Sequence, residues 1–246
     1  MKDIIVWWSA GATSAVATKL AISKYGKERC KIIYFPINTA HIDNERFIKD
    51  CEKWYGLPII KIGSEKYEDQ FDVIEKTKYV NGAKGARCTM ELKRLVREKI
   101  EKTTYFKHQV FGFENIKKEI VRSERIPKSC NALFPLIENK LTKENCLKIL
   151  SDNNIDLPAM YRLGYPNNNC IGCVKGGMGY WNKIRIDFPE TFERMTILER
   201  KIGRSCLKDE NGNRLFLDEL DKKRGRNLKI LIPDCGFFCG DEGVYL

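Results

Sequence analysis

Short apolar runs rich in β-branched and aromatic residues alternate with segments of helical spacing along the first half of this chain. Residues 3–8, 31–37 and 58–62 have the length and composition of buried strands. Two further strands are predicted at residues 106–113 and within residues 131–138. Because strands that alternate with helices form βαβ units, the pattern predicts an α/β fold with a mostly parallel, Rossmann-like sheet.

Helices are predicted between the first three strands. Val16, Leu20 and Ala21 have the spacing of one helical face, and Gly26 is a typical helix stop. A second helix is predicted to begin at Asp43, as its N-cap, and to end near Tyr55. The sheet is therefore expected to be flanked by helices.

The second half of the chain has a different character. A capped helix is predicted at residues 142–150, and a stretch rich in Pro, Asn and Gly follows at residues 157–179. Residues 221–246 combine a basic run, a short apolar run and an end rich in Cys and Gly. We predict an α/β domain over residues 1–140 and a helical, cysteine-rich C-terminal elaboration over residues 141–246 that packs on it.

Composition and charge add two expectations. Apolar residues make up 43% of the 246 residues, which is enough for a sizeable core, and no apolar run approaches the length of a membrane span. The N-terminal segment lacks the pattern of a secretory signal, so we place the protein in the cytoplasm. The formal net charge of +11 predicts affinity for an anionic partner, either a nucleotide or a nucleic acid.

A turn of small residues joins the first strand to the first helix. Ligands of parallel α/β sheets bind at the carboxyl ends of strands, where small residues let the backbone approach a phosphate and a helix N-terminus supplies N–H donors. The turn lacks the Gly-Lys-Ser/Thr of a Walker A loop, and a tight turn with Ser/Thr caps is the alternative interpretation. The candidate phosphate-binding residues are Ser9, Ala10, Gly11, Ala12, Thr13 and Ser14.

The segment SAGATSAV resembles the PP-loop of the adenine nucleotide α-hydrolase superfamily, and most of all its sulfonucleotide reductase branch, the PAPS/APS reductases. ARCTMELK at residues 86–93 and NCIGC at residues 169–173 resemble two cysteine-bearing segments of that branch. The longer segment around NCIGC also resembles phage- and prophage-borne members of the branch. The resemblance implies a HUP-type fold, an adenine nucleotide (ATP, APS or PAPS) and further nucleotide contacts at Thr39, Lys93, Gly112, Arg122 and Arg125.

Two positions depart from the superfamily pattern. Thr13 stands where ATP pyrophosphatases have an Asp that helps to handle Mg²⁺ and pyrophosphate, so the resemblance argues against simple ATP cleavage and for the reductase branch. Glu114 stands two residues after Gly112, where the branch has an Arg.

The cysteines offer two pairs and a single thiol. Cys170 and Cys173 form a Cys-x-x-Cys pair whose thiolates can share a metal, and a redox dithiol is the alternative. Cys235 and Cys239 form a second pair, and Cys88 is the fifth candidate. The basic side chains beside Cys88 (Arg87, Lys93 and Arg94) are expected to lower the pKa of its thiol.

The resemblance implies an iron–sulfur centre on these cysteines. By that resemblance Cys88, Cys170 and Cys173 are three ligands of a [4Fe-4S] cluster, and the fourth is Cys235 or Cys239, or one iron stays open. Structural zinc held by two Cys pairs is the rival. DCG at residues 234–236 also resembles a tail whose thiolate is the reductase nucleophile, so Cys235 or Cys239 is either a ligand or the catalytic group.

Three functions are compatible with these observations. The first is thiol-dependent reduction of an adenylated sulfate by a PAPS reductase-like oxidoreductase, in which Arg122 and Arg125 neutralise the phosphate. The second is ATP-dependent sulfur transfer to tRNA or DNA, in which the basic run at residues 222–226 contacts the backbone. The third is a non-enzymatic nucleotide- and zinc-binding protein. The partners left open are a thiol reductant such as thioredoxin, a nucleic acid and a second copy of this chain.

Overall fold

A five-stranded parallel sheet forms the centre of the molecule, as the computed structural model of residues 2–82 and 85–226 describes it. The strand order is β3-β2-β1-β4-β5, and every pairing is parallel. The α/β, Rossmann-like fold expected from the sequence is thereby confirmed. The strands are β1 (Ile4–Trp8), β2 (Cys30–Tyr34), β3 (Ile59–Lys61), β4 (His108–Val110) and β5 (Ala132–Leu133).

Helices occupy most of the connections, and a small antiparallel hairpin follows the last helix. The first seven helices are α1 (Ala12–Tyr25), α2 (Asn44–Tyr55), α3 (Gln70–Thr77), α4 (Arg87–Thr89), α5 (Leu95–Thr103), α6 (Lys117–Ser123) and α7 (Pro135–Glu138). A π-helical turn, Met90–Arg94, joins α4 to α5. The remaining elements are α8 (Lys143–Asp152), α9 (Ala159–Arg162), α10 (Met178–Asp187), α11 (Pro189–Ile202), β6 (Leu207–Lys208) and β7 (Arg214–Leu215).

Both faces of the sheet are buried. Ile4, Val6 and Trp8 of β1 belong to one apolar cluster, whereas Ile5 and Trp7 belong to the cluster on the opposite face. Alternate side chains of a strand point to opposite faces of the sheet. Because all five residues of β1 are buried, both faces of the sheet are covered by other parts of the chain.

The first core extends past residue 140. Leu147 and Leu150 of α8 are fully buried in the same cluster as β1 and α1. A second core joins Phe71 of α3 to Trp181 of α10 and Met195 of α11. The C-terminal helices therefore pack on α3, next to the carboxyl ends of the strands.

The reversal of strand order creates the crevice where a ligand is expected. The chain passes from β1 to β2 and β3 on one side, and then returns to place β4 on the other side of β1. The loops after β1 and β4 leave the sheet at this switch point, which is where open α/β sheets bind their ligands. We call the region formed by residues 9–14 and residues 111–116 the nucleotide crevice, after the ligand that is expected there.

One local expectation needs correction. Asp43 stands before α2, but its side chain makes no N-cap hydrogen bond and pairs instead with Arg46 and with α9. The strand predicted within residues 131–138 is present as β5, and helix α7 follows it after one residue. Within residues 2–82 and 85–226, no helix is long and apolar enough to cross a bilayer.

Candidate functional site

The loop after β1 presents its backbone at the nucleotide crevice. Ala10 adopts a left-handed conformation with φ of 58°, which is unusual for a residue with a Cβ. Helix α1 then begins at Ala12 with no side-chain cap from its N-cap residue, Gly11. The hydroxyl of Ser14 holds the turn closed by accepting hydrogen bonds from the Ser9 amide (3.1 Å) and donating one to the Gly11 carbonyl (2.9 Å). First-turn amides in such a turn suit an anion.

Gly112 brings the loop after β4 directly against this turn. A Cβ built on Gly112 would lie 2.8 Å from the Cα and 2.9 Å from the N of Ser14. Backbone atoms cannot rotate away as a side chain can, so only glycine permits this approach. Gly112 therefore lies in contact with the candidate phosphate loop, and its predicted contact with a nucleotide stays a prediction.

Asn168 links the phosphate loop to the cysteine-bearing loop. Its Nδ2 donates to the carbonyl of Ala10 (2.6 Å) and to Oδ1 of Asn44 (2.8 Å). The buried hydroxyl of Tyr161 accepts a hydrogen bond from the Ala12 amide (3.3 Å), and burial raises the pKa of Tyr161 to about 12. The segment before Cys170 is thus bonded to residues 10–12.

Three of the five candidate cysteines line one small pocket beside this contact. The pocket has a volume of about 80 Å³ and lies between the π-helical turn and the residue 169–175 loop. Lys93 and Lys175 also line it, so two cations stand beside the thiols. The cysteine pocket contains Ile37, Gln70, Cys88, Thr89, Leu92, Lys93, Asn169, Cys170, Cys173, Val174 and Lys175.

Thr39 and Gln70 attach the cysteine loop to the end of β2. The buried side chain of Gln70 donates to the carbonyl of Ile171 (2.8 Å) and accepts a hydrogen bond from the Thr39 hydroxyl. The Ile171 amide donates to the carbonyl of Thr39 (2.9 Å). Thr39, expected to contact the nucleotide, therefore also holds the loop that carries Cys170 and Cys173.

Tyr180 and Gly172 shape the Cys-x-x-Cys turn itself. The Tyr180 hydroxyl accepts from the Cys173 amide (2.8 Å) and donates to the Cys170 carbonyl (3.2 Å). Gly172 has φ of 76°, and a Cβ there would lie 2.7 Å from a methyl group of Thr191. The turn is therefore fixed by its own glycine and by a phenol from α10.

The pKa of Cys88 is raised rather than lowered, so the expectation from its basic neighbours is wrong. Burial, with Cys170 and Cys173 next to it, raises the pKa of the Cys88 thiol to about 11. Arg87 is paired with Glu91 (2.6 Å) and Arg94 with Glu98 (2.9 Å). The charges of both arginines are compensated within the helix, and the pKa-lowering effects of Lys175 and of a backbone hydrogen bond from Thr89 are smaller than the effect of burial at Cys88.

The donor set of the cysteine pocket suits a thiolate-ligated metal centre. Three thiols and two lysines line it, and the lysines can balance the charge of an anionic centre. Within residues 2–82 and 85–226, no group of three Cys, His, Asp or Glu side chains is placed to hold one metal ion. The choice between an iron–sulfur cluster and zinc stays a prediction.

The predicted arginines lie in α6 and just after it. Arg122 is paired with Glu119 (3.1 Å) and its guanidinium lies 4.4 Å from the ring centroid of Phe113. Arg125 is exposed after the end of α6. In the described part of the chain neither arginine hydrogen-bonds to residues 9–14, so their role as phosphate ligands stays a prediction.

Glu114 is compensated by a lysine that the sequence analysis did not single out. The carboxylate of Glu114 accepts from the Lys143 amide (2.9 Å) and stands 3.9 Å from its Nζ. The same Nζ donates to Oδ1 of Asn167 (2.8 Å). Lys143 therefore supplies positive charge at a position near that of the missing arginine.

Sequence analysis singled out the phosphate loop, Gly112 and the cysteines but missed the side chains that join them. Asn168, Gln70 and Tyr180 carried no recognisable motif, and only the run of Asn before Cys170 marked the segment. Cys235 and Cys239 lie outside the described residues. Their roles as ligand or nucleophile stay predictions.

Asp43 is expected to stabilise the segment that carries Tyr161, in a pH-dependent way. It accepts hydrogen bonds from Arg46 (2.8 Å) and from the Ala159 amide (2.8 Å), and the Arg46 hydrogen bond lowers its pKa from 3.8 to about 2. Asp43→Asn should reduce the free energy of unfolding by about 1–3 kcal/mol at neutral pH. Because the folded pKa is the lower one, this difference should shrink as the pH falls from about 4 towards 2.

Urea unfolding of both proteins across this pH range measures the effect. Asp50→Asn is the matched control, because Asp50 pairs with Arg46 alone on the surface and should cost less than about 1 kcal/mol. A difference for Asp43→Asn that stays constant down to pH 2 would contradict the assignment.

Comparison with known proteins gives one similarity and no family. No family model matches the chain. Over 204 residues, 78% of the chain, it is 26% identical to the uncharacterized protein MJ0066 of Methanocaldococcus jannaschii. The chain spans 40% of the length of that protein. The similarity names no activity, so a functional assignment depends on the geometry of the site.

Proposed function

We propose that this protein is a nucleotide-binding oxidoreductase that reduces an adenylated sulfate with electrons from thiols. The observation that carries the proposal is the hydrogen bond from Asn168 to Ala10, because it sets the Cys-x-x-Cys loop against the candidate phosphate loop. A phosphate site and thiols would have little reason to adjoin in a purely structural metal protein. The resemblance of both segments to the sulfonucleotide reductases supports the same reaction.

The backbone amides of residues 10–14, apart from that of Ala12, which donates to Tyr161, would bind the phosphate of the substrate. Lys143, Arg122 and Arg125 would add positive charge. A thiolate, Cys235 or Cys239, would attack the sulfur atom and form an S–S bond while the S–O bond to the nucleotide breaks. The nucleotide leaves as AMP, or as its 3′-phosphorylated form. A dithiol reductant then attacks the cysteine sulfur, releases sulfite and becomes a disulfide after its second thiol restores the cysteine.

Cys88, Cys170 and Cys173 would hold three irons of a [4Fe-4S] cluster, and the C-terminal cysteine that is not the nucleophile would hold the fourth. When bound, such a cluster would fix the positions of the thiolates and order the cysteine loop beside the substrate. Lys93 and Lys175 line the same pocket and would balance the negative charge of the thiolates. Gln70 and Tyr180 would keep the loop in place without touching the substrate.

Anaerobically purified full-length protein tests the proposal directly. With a dithiol reductant it should convert adenosine 5′-phosphosulfate, or its 3′-phosphorylated form, to sulfite and the corresponding nucleotide in equal amounts. Turnover of ATP to AMP that is stimulated by tRNA or DNA, with no sulfite, would contradict the proposal and select nucleic-acid thiolation. Tight nucleotide binding with no product from any of these substrates would select a binding protein.

A further inference from the structure

We infer that a groove between α10 and the turn at residues 221–226 binds the phosphate backbone of a nucleic acid, which goes beyond the proposed function. The groove has a volume of about 420 Å³, and five cations and one carboxylate line it. We call it the basic groove. Its lining residues are Leu163, Gly164, Gly179, Asn182, Lys183, Ile186, Asp187, Lys222, Lys223, Arg224, Gly225 and Arg226.

The basic turn is built onto the helix rather than extended into solvent. A Cβ on Gly179 would collide with the carbonyl of Arg226, and one on Gly225 would collide with the backbone of Gly179. Nδ2 of Asn182 donates to the carbonyls of Asp221 (2.9 Å) and Arg224 (2.7 Å). The cations of the turn are therefore held in a fixed relation to Lys183 on α10.

Among the described residues, carboxylates compensate two of the five cations of the basic groove. Lys183 pairs with Asp187 (2.8 Å), and Arg224 pairs with Glu210. Within residues 2–82 and 85–226, no ion pair joins the side chains of Lys222, Lys223 and Arg226 to a carboxylate. Three such cations on a short turn form a local concentration of charge that attracts a polyanion.

The exposure of these cations favours a phosphate chain over a single small anion. Lys222, Lys223 and Arg226 are all exposed, whereas a site for one small anion needs buried donors that replace its hydration. Neutralisation of successive phosphates by exposed lysines releases counterions and does not need burial. Among the described residues that line the groove none is aromatic, so we expect contact with the phosphate backbone and little preference for base sequence.

The basic groove is close to the candidate active site along the chain. Leu163 and Gly164 line it, and they directly follow α9, whose Tyr161 contacts Ala12 at the candidate phosphate loop. A nucleic acid held in the groove would therefore contact the segment that leads to this loop, which suits a regulator of the site.

A salt series with matched variants tests the inference. Anisotropy of a fluorescein-labelled single-stranded oligonucleotide, titrated with the full chain, should show affinity that falls steeply with salt. Lys222→Gln combined with Lys223→Gln should weaken binding by about tenfold at low salt and reduce the slope of log K against log[salt] by about 1.4. The control, Lys27→Gln combined with Lys102→Gln, removes equal charge near the amino ends of the strands and should change the affinity less than about twofold.

Each outcome decides the question independently of sulfite formation. Equal losses in both double variants, or affinity that does not depend on salt, would overturn the inference. Polyglutamate and unlabelled DNA are also compared as competitors at equal concentration of negative charge. If polyglutamate displaces the oligonucleotide more effectively than DNA does, the inference is overturned and the groove is assigned to an acidic protein surface. Selective loss in the Lys222 and Lys223 variant would support it even if the protein reduces no adenylated sulfate.

Discussion

The double substitution of Cys170→Ser and Cys173→Ser is expected to abolish iron binding by the anaerobically purified protein. Both thiols line the cysteine pocket, and their loop is held by Tyr180 and Gln70. A hydroxyl is a far weaker ligand for iron than a thiolate, so two of the proposed ligands are lost at once. Iron and acid-labile sulfide should fall from about four of each per chain to near zero, with loss of the brown colour.

Cys130→Ser is the matched control for this variant. Cys130 is also partly exposed but lies outside the cysteine pocket, so its replacement should leave the iron content unchanged. The circular dichroism spectrum of the double variant shows whether the fold survives. Iron retained in full by a folded double variant would contradict the ligand assignment. One zinc ion per chain in the parent protein, in place of iron, would show that the cysteines form a structural zinc site and not a cluster.

The sheet could be predicted from the sequence because its information is local. Residues such as Ile4, Ile5 and Val6 have side chains that suit a strand buried on both faces, and the run is bounded by a turn of small residues. The strand ends were less exact. Residues 135–138 are apolar enough for a strand, but Pro135 at the first helical position begins α7 instead.

The chemistry of the candidate site could be predicted from the sequence only at positions where the residue type alone indicates a function. Cysteines and a turn of small residues can be recognised in the sequence by residue type alone. The role of Asn168 cannot, because it depends on the carbonyl of Ala10, which lies 158 residues away along the chain. The pKa of Cys88 was predicted in the wrong direction for a similar reason. Sequence shows that arginines are close, but not that carboxylates one turn away compensate them or that the thiol is buried.

The Cys-x-x-Cys loop and the phosphate loop act as one structural unit. Thr39 joins the loop after β2 to Ile171, and Asn168 joins the loop after β1 to the residues just before Cys170. A ligand that orders residues 9–14 therefore also stabilises the segment that carries the thiols. This coupling is what the proposed function requires, because one substrate would be held by its phosphate at one loop and by its sulfate group at the other.

Alanine at Gly112 is expected to weaken nucleotide binding by about 10- to 100-fold, equivalent to about 1.4–2.8 kcal/mol. The added Cβ would meet the backbone of Ser14 at 2.8 Å and that of Thr13 at 3.2 Å, so the loop after β4 and the first turn of α1 must separate. The amides proposed to bind the phosphate belong to that first turn, and small displacements of such donors are costly. Isothermal titration with AMP and with adenosine 5′-phosphosulfate measures the loss.

Stability must be measured together with binding, because overpacking alone costs about 1–3 kcal/mol. Gly63→Ala is the matched control, since a Cβ at Gly63 would meet only Pro36, at an ordinary 3.7 Å. A Gly112→Ala protein that is folded in urea titrations but fails to bind nucleotide would locate the phosphate site at the contact between Gly112 and α1. Unchanged affinity in folded Gly112→Ala would place the nucleotide elsewhere and remove the structural basis for the proposed reaction.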